Sequence, residues 1–317
     1  MTARSGPTSG GSSSGSGSGS DSASGSASGP LSGPMFARVA VLGLGLIGGS
    51  FAAAVRRARL AEQVVGYAPP PDGATAVELG LVDEACADVA AALHGADLVM
   101  LAAPVTVLPA LFDEVAVCLP DGAIVTDCAS TKRSALAAAR ASLGNRAGRF
   151  VAGHPIAGSE RSGPRAARAT LFDGAQVMVC PAAETDRAAC ERVQALWRAL
   201  GANVVLTDVD SHDSLYGELS HWPHAVAFAL SAAVGTGAHA DDALRFAGGG
   251  LRDTTRIGAS SPTLWADILL DNRDAVLESA QAFERELQAI TEAIREGRRD
   301  DLVALLARGA DWRRKLI

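Results

Sequence analysis

A glycine-rich segment between an apolar stretch and an Ala-rich stretch restricts the fold of this chain most strongly. The segment VAVLGLGLIGGS contains a GxGxxG motif with glycines at Gly43, Gly45 and Gly48. In this setting the first glycine permits a tight turn, the second lets the backbone approach a pyrophosphate, and the third permits close packing of helix on strand. The amides that open the following helix attract phosphate charge. The segment therefore predicts binding of NAD, with NADP not excluded, by these glycines together with Leu46 and Ile47.

Up to about residue 207, short apolar stretches alternate with Ala-rich helical stretches. The predicted strands are 39–42, 64–67, 98–102, 124–126, 150–152, 177–180 and 204–206. The predicted helices between them include 47–58, 105–118, 132–143 and 187–200. Several of these strands are apolar throughout, as expected of strands that are covered on both faces. The pattern predicts an α/β fold with a Rossmann-type doubly wound sheet.

The pattern changes after Asp208, where the strand signals stop and only helices are predicted. These include a heptad-like apolar repeat over 275–294 and a last helix over 300–317. A length of 317 residues fits two domains. We predict a dinucleotide-binding domain over 34–207 and a helical domain over 208–317.

Residues 1–33 consist almost wholly of Gly, Ser, Ala, Thr and Pro. Such a segment has too little apolar surface to offset the entropy of ordering it, so we expect a disordered tail. Met35 stands directly before the first predicted strand. A second hypothesis is therefore that the natural protein starts at Met35.

The composition argues against several other classes of protein. No apolar run approaches the roughly 20 residues that span a bilayer, and the first residues lack the basic and apolar regions of a signal peptide. We therefore expect a cytoplasmic protein without a membrane partner. The net charge of -7, without basic blocks, argues against a nucleic-acid partner. The five cysteines form no CxxC pair, so neither a disulfide framework nor a zinc site is expected.

Two polar segments follow predicted strands, at the edge where open α/β sheets bind ligands. The segment TDCASTK contains Ser130, which, like Thr131, could instead cap the next helix. The segment GHPIAGSERSG contains His154, on a loop just past the strand 150–152. A lone His there is more often structural, but hydride chemistry at an alcohol needs a base within reach of the hydroxyl proton. His154 is therefore a candidate base.

Two further polar segments lie in the helical part. The segment SHWPH places Ser220 and His224 on one face of a helix that Pro223 would bend. A metal pair or a kinked core helix are the alternatives, but no third ligand stands nearby and no metal site is expected. In the segment GGGLRDTTRI, Arg256 stands between Thr and Ile rather than in a charged run. It is a candidate for binding a carboxylate, with a solvated surface Arg as the alternative.

The end of the second predicted strand usually carries the residue that separates NAD from NADP. Here the strand runs from VVGY into APPPD, with neither an acidic residue nor an Arg in the usual place. Asp72 could turn back to the ribose or could cap the following helix. The two cofactors are not separated by this sequence, although the missing Arg favours NAD.

Taken in order along the chain, several segments resemble the prephenate and arogenate dehydrogenases of tyrosine biosynthesis. They are GLGLIGGS, DCAST-K, GHPIAGSERSG, SHWPH and RDTTRI followed by SSPTLWADI. The resemblance runs from about Arg38 to the last helices, and the coupling of GHPIAGSERSG to SHWPH is its most specific part. It implies oxidative decarboxylation of prephenate to 4-hydroxyphenylpyruvate with reduction of NAD or NADP. The implied architecture is a Rossmann domain followed by an all-helical C-terminal dimerisation domain.

The same resemblance implies roles for individual residues. His154 is implied to be the base that accepts the ring hydroxyl proton, and Ser130 to hydrogen-bond both that hydroxyl and His154. Arg256 is implied to hold the ring carboxylate. His224 and Ser220 are implied to line the substrate pocket. Ser159, which follows the HPIAG run, is implied to lie near the substrate side chain.

Several alternatives remain open beside this resemblance. Arogenate carries an amino acid where prephenate carries a keto acid, and the residues that separate them are not located. A homodimer is implied, and the apolar repeat is compatible with it. Dehydrogenases of the 3-hydroxyacid or 6-phosphogluconate type use a helical Lys, but no Lys stands between Lys132 and Lys315. A non-catalytic NAD-binding sensor would not need His154, Ser130, His224 and Arg256 together.

Overall fold

The structure, a computed structural model, describes residues 33–159 and 161–316. The predicted tail falls outside the described residues except for Gly33. Within them, eight strands form one sheet. The strands are β1 (Phe36–Leu42), β2 (Ala61–Tyr67), β3 (Glu84–Ala85), β4 (Leu98–Leu101), β5 (Ile124–Asp127), β6 (Phe150–Ile156), β7 (Gln176–Cys180) and β8 (Asn203–Leu206).

Helices accompany these strands and form most of the described chain after β8. Those that accompany the sheet are α1 (Leu46–Arg57), α2 (Asp72–Glu78), α3 (Val89–Leu93), α4 (Leu108–Cys118), α5 (Arg133–Leu143) and α6 (Arg187–Ala199). Those that follow it are α7 (Val209–Tyr216), α8 (Trp222–Gly235), α9 (Ala240–Phe246), α10 (Gly249–Thr255), α11 (Pro262–Asp271), α12 (Arg273–Arg295) and α13 (Arg299–Arg313). A π-helical turn, Gly217–His221, joins α7 to α8.

The sheet has the order β3-β2-β1-β4-β5-β6-β7-β8. Neighbouring strands are parallel except β6 and β7, which are antiparallel. Successive residues of β4 alternate between two cores: Val99 and Leu101 pack with α3, α4 and α5, while Leu98 and Met100 pack with α1 and α6. The order reverses between β1 and β4, which is where doubly wound sheets form a ligand crevice. The predicted Rossmann-type fold with a helical C-terminal part is confirmed.

The turn from β1 into α1 explains the spacing of the glycine motif. Gly43 has a φ of 100°, which side chains with a Cβ rarely adopt, and a Cβ there would lie 2.3 Å from the carbonyl oxygen of Ala102. A Cβ at Gly48 would lie 1.9 Å from the carbonyl oxygen of Gly43. A Cβ at Gly45 would meet nothing within 4 Å. Packing therefore requires a glycine at Gly43 and at Gly48, whereas Gly45 faces open space.

Three details of the sequence prediction were wrong. The strand β6 continues to Ile156, so His154 lies inside a strand, opposite Met178 of β7, rather than on a loop. Pairing with the antiparallel β7 extends β6 beyond the apolar run. The short elements β3 and α3 were not predicted. Asp72 lies in the first turn of α2 after Pro71 and is not its N-cap.

The helical part begins with one continuous helical run from Val209 to Gly235, in which the π-helical turn precedes Pro223. Proline cannot donate a backbone hydrogen bond and crowds the preceding turn, and a π-type insertion relieves both effects. The predicted irregularity at Pro223 is thus a wider turn just before it. Among the described residues, no helix is long and apolar enough to cross a membrane.

Candidate active site

A buried ion pair lies at the carboxyl end of β5. The ammonium of Lys132 contacts Asp127 and donates to the carbonyl oxygen of Gly153 at 2.7 Å, and neither charged side chain is exposed. Asp127 accepts hydrogen bonds from the backbone amides of Gly153 and Ala129 at 2.9 and 3.0 Å. A Cβ on Gly153 would lie only 2.9 Å from the carbonyl oxygen of Asp127. The pair therefore fixes both peptide groups of the residue that directly precedes His154.

The helix α5 is capped from the helical part of the molecule. The carboxylate of Asp213, on α7, accepts hydrogen bonds from the backbone amides of Lys132 at 2.8 Å and Arg133 at 2.9 Å. Neither Ser130 nor Thr131 caps this helix, so that alternative from the sequence was wrong. The Thr131 hydroxyl instead donates to Asp271 of α11. These contacts join the sheet to the helices that follow it.

His154 is the first member of a chain of hydrogen-bonded side chains. Its Nδ1 lies 2.9 Å from Nε2 of His212, and Nδ1 of His212 lies 2.8 Å from Oδ1 of Asp213. The ring of Tyr216 packs beside both imidazoles, with centroid distances of 5.1 Å to His154 and 4.7 Å to His212. Among the described residues, His154 Nε2 has no hydrogen-bond partner. This nitrogen is therefore the one available to a ligand.

The surroundings of His154 favour its neutral form. Burial, reinforced by His212, Lys132 and His221, holds the pKa of His154 well below its usual 6.5. Burial also lowers the pKa of His212, partly opposed by its hydrogen bond to Asp213. A neutral imidazole at pH 7 can accept a proton, which is the requirement for a general base. The chemistry available at this end of β6 is therefore proton abstraction.

Another histidine, His221 of the SHWPH segment, is buried next to the chain of side chains formed by His154, His212 and Asp213. Asn272 donates through Nδ2 to Nδ1 of His221 at 3.0 Å and to the carbonyl oxygen of Asp213 at 2.7 Å. Burial lowers the pKa of His221 to about 4. His221 Nε2 and Asn272 Oδ1 are buried and have no partner within the described part of the chain. His221 is thus a buried residue that helps to hold the site in place through Asn272.

Three of the predicted substrate residues lie together in the helical part. His224 Nδ1 donates to the carbonyl oxygen of Ser220 at 2.8 Å, and its ring stacks on Trp265 with centroids 3.5 Å apart. Burial lowers the pKa of His224, and the nearby charge of Arg256 lowers it further. Arg256 is exposed and opens a 3-10 turn after α10. The structure therefore brings His224, Ser220 and Arg256 to one region.

The remaining two predicted residues are less tightly held. Ser130 is half-buried after β5, and in the described ranges it makes no hydrogen bond with His154, whose Nδ1 is paired with His212 instead. The predicted hydrogen bond between Ser130 and His154 is not made in this structure and, since His154 Nε2 is available, stays a prediction for the ligand-bound protein. Ser159 is exposed, and its Oγ accepts the backbone amide of Arg161 at 3.2 Å.

The sequence did not single out the residues that support His154. These are Lys132, Asp127, His212, Asp213, Tyr216 and Asn272. Two signals could have pointed to them. Lys132 is one of only two lysines in the chain and stands beside a strand end, and His212 and Asp213 are adjacent titratable residues at the start of the helical part. Neither signal indicates which strand these side chains meet.

A Rossmann-type sheet with a glycine turn after β1 and a neutral histidine at the end of β6, completed by helices, defines a dinucleotide-dependent dehydrogenase. Comparisons with known proteins narrow the class further. Residues 51–206 match the family model described as prephenate dehydrogenase, nucleotide-binding domain, and residues 208–308 match the model described as prephenate dehydrogenase, dimerization domain. The chain belongs to the prephenate dehydrogenase family.

Individual relatives agree with this assignment. A prephenate dehydrogenase of Bacillus subtilis strain 168 is 33% identical over 87% of this chain and 75% of its own length. A cyclohexadienyl dehydrogenase of Zymomonas mobilis is 33% identical over 82% of this chain and 89% of its own length. A crystal structure of prephenate dehydrogenase from A. aeolicus, in complex with hydroxyphenyl propionate and NAD+, has a TM-score of 0.82 at 33% identity. That likeness covers 89% of this chain and 98% of the other.

Proposed function

We propose that this protein converts prephenate to 4-hydroxyphenylpyruvate and carbon dioxide while NAD+ is reduced. The observation that carries the proposal is His154, whose Nδ1 is paired with His212 and whose Nε2 is available at the ligand-binding edge of the sheet, while burial lowers its pKa. The glycine turn lies on the same sheet, and Arg256 lies on the helical part. Base, cofactor loop and carboxylate ligand are the groups that this reaction requires.

In the proposed reaction, His154 Nε2 takes the proton of the ring hydroxyl. When bound at the glycine turn, the nicotinamide would supply the oxidising power by accepting the hydride of the same carbon. The ring carboxylate then leaves as carbon dioxide, and the electron pair of the broken bond makes the ring aromatic. Because aromaticity drives the last step, the protein needs only to position the substrate and to accept one proton.

Substrate binding is proposed to divide between the two parts of the molecule. The guanidinium of Arg256 can form two parallel hydrogen bonds to the ring carboxylate. His224 and Ser220 line the pocket from α8 and the π-helical turn, and Ser159 lies near the substrate side chain. Ser130, at the end of β5, is proposed to hydrogen-bond the ring hydroxyl. Each of these roles follows the resemblance given above.

The glycine turn fits a dinucleotide. The N-cap of α1 is Gly45, which offers no side-chain hydrogen bond, so the first amides of the helix are left for an acceptor. The space where a Cβ of Gly45 would lie is open, which leaves room for a pyrophosphate. In the sequence, no Lys or Arg occurs between Arg59 and Lys132, a segment that includes the end of β2. A 2′-phosphate would find no cation there, which supports NAD over NADP.

The helical part supports a homodimer. Large apolar side chains remain exposed on it in one chain, among them Leu219, Leu244, Phe246, Leu264, Leu270, Leu277, Phe283, Leu287, Ile294, Val303, Leu306 and Trp312. No residue of α13 is buried. Exposed apolar area of this extent is typical of an interaction surface. We propose a second copy of this chain as its partner, and light scattering that gives a monomer mass would contradict this.

Two broader predictions from the sequence complete the proposal. The division into a dinucleotide-binding domain over 34–207 and a helical dimerisation domain over 208–317 is supported by the spans of the two family models. A cytoplasmic location stays a prediction, in keeping with a biosynthetic role.

The test is an assay of the purified protein with prephenate and with arogenate, each with NAD+ and with NADP+. We expect NADH formation and 4-hydroxyphenylpyruvate, identified by chromatography, with prephenate and NAD+. Arogenate is the second candidate substrate, because a relative of similar identity is a cyclohexadienyl dehydrogenase. If arogenate is turned over and prephenate is not, arogenate is the substrate in place of prephenate. If neither is turned over, the proposed activity is wrong.

A further inference from the structure

We propose that His212 and Asp213 act as positioning residues that hold His154 with its proton on Nδ1, leaving Nε2 as the proton acceptor. This inference deepens the proposed function and depends on His154 being the base. It assigns a direction to each hydrogen bond in the chain Asp213, His212, His154. The direction follows from the contacts at the Asp213 end.

While Asp213 is ionised, its carboxylate can accept hydrogen bonds but cannot donate them. Its Oδ1 accepts from the backbone amide of Lys132 and its Oδ2 from the amide of Arg133. The hydrogen bonds from His212 and from these amides keep the pKa of Asp213 below its usual value despite burial. Asp213 is therefore a carboxylate at pH 7. The 2.8 Å contact between its Oδ1 and His212 Nδ1 requires the proton to be on that nitrogen.

The next hydrogen bond follows from the first. His212 is buried and burial lowers its pKa, so at pH 7 its ring is neutral and carries a single proton. With that proton on Nδ1, Nε2 of His212 can only accept. The partner at 2.9 Å is His154 Nδ1, which must therefore donate. A neutral His154 then has a lone pair on Nε2.

Packing keeps the two rings in this arrangement. The Tyr216 ring lies against both imidazoles, and the Lys132 to Asp127 pair holds the backbone of Gly153 directly before His154. When Nε2 accepts the hydroxyl proton, His154 becomes a cation. The charge of Asp213 then stabilises that cation through His212, while both existing protons stay on their nitrogens. The arrangement parallels the orienting carboxylate of a serine protease triad, with one imidazole inserted.

Two substitutions of His212 separate orientation from general packing. Glutamine can present Oε1 near the position of Nε2 and accept from His154, whereas leucine fills space but accepts nothing. We expect His212→Leu to lower kcat by about 10 to 100-fold, the range typical when a supporting hydrogen bond is removed, with a small change in KM. His212→Gln should recover most of this loss. His94→Leu, at an exposed site after α3, is the matched control and should leave kcat unchanged.

A direct readout is 15N NMR of protein labelled at histidine nitrogens, which separates protonated from unprotonated ring nitrogens without substrate. The His154 signals are assigned by their loss in His154→Asn. We expect protonated Nδ1 and unprotonated Nε2 in the wild type at pH 7.5, and a shift of the proton toward Nε2 in His212→Leu. Thermal melts of each variant measure any loss of folding separately.

The outcomes are distinguishable from those of the proposed function. A wild-type His154 with its proton on Nε2, or a folded His212→Leu with kcat within twofold of wild type, would overturn the inference. Equal losses in the Leu and Gln variants with an unchanged His154 tautomer would also overturn it. If the wild type failed to oxidise prephenate, the proposed activity would be disproved. The NMR result would still show which tautomer His154 adopts.

Discussion

The charged groups of Lys132 and Asp127 contact each other where neither side chain is exposed to solvent. Removing one partner of such a pair leaves a buried charge without compensation, which typically costs about 3–5 kcal/mol. We expect Lys132→Met to lower the free energy of unfolding by about this amount, measured by urea denaturation. The double variant Asp127→Asn, Lys132→Met should lose less than the sum of the two single losses. Additive losses would contradict this coupling.

Replacement of His154 tests the proposed base. His154→Asn should lower kcat by about 10²–10⁴-fold, because a positioned base contributes a factor of this order. Affinity for NAD+, measured by calorimetry, should stay at the wild-type value, since the glycine turn is untouched. His94→Asn at an exposed position serves as the matched control. Wild-type turnover in His154→Asn would refute the assignment.

The buried histidines predict acid sensitivity. The pKa values of His154, His212 and His221 are all lowered, the last to about 4. Below pH 6.5 the unfolded chain binds protons at these sites while the folded chain does not, so the free energy of unfolding decreases as the pH falls. His221 alone accounts for a loss of about 3 kcal/mol by pH 4. Urea denaturation between pH 7.5 and 4.5 measures this, and constant stability would disprove it.

Arg256 tests carboxylate binding. Arg256→Lys keeps the charge but loses the paired hydrogen bonds of the guanidinium, so we expect KM for prephenate to rise while kcat changes less. The cost of one lost charge-assisted hydrogen bond, about 1.5–3 kcal/mol, corresponds to a rise in KM of roughly 10 to 150-fold. Arg252→Lys, on the neighbouring helix α10, is the control. A normal KM in Arg256→Lys would argue against the role.

Two glycines of the same motif should respond differently to alanine. At Gly48 a Cβ would lie 1.9 Å from a carbonyl oxygen, so Gly48→Ala should lower the melting temperature. At Gly45 a Cβ meets no atom within 4 Å, so Gly45→Ala should melt like the wild type. Its methyl group would occupy space proposed for the pyrophosphate and weaken NAD+ binding at least about tenfold by calorimetry, the effect of losing about 1.4 kcal/mol. Unchanged NAD+ affinity would contradict the proposed loop contact.

The sheet could be predicted from the sequence because its signals are local. The apolar run of β1, followed by the Gly43 turn, indicates both the strand and its connection to α1. The end of β6 could not be predicted in the same way. His154 is polar and Pro155 has no backbone N–H to donate, and both adopt strand conformation because β7 pairs with them from a distance in the sequence.

The site was predictable only in part, for a related reason. His154, Ser220, His224 and Arg256 stand in short polar segments with distinctive spacing. The partners of His154 come from α7. The residues around His212 and Asp213 do not indicate that α7 packs against the end of β6. A long-range contact of this kind follows from the packing of helices on the sheet, which is a property of the whole chain.

The cap that Asp213 places on α5 also bears on any movement of the helical part relative to the sheet. Any rotation that separates α7 from α5 breaks two hydrogen bonds to the amides of Lys132 and Arg133, and the same movement takes His212 away from His154. If the helical part moves relative to the sheet, we expect Asp213 to act as the pivot, with the larger displacements farther along the helical part. Amide hydrogen exchange would show this as strong protection of Lys132 and Arg133 beside faster exchange in α9 and α10. Fast exchange at both amides would instead place the hinge elsewhere.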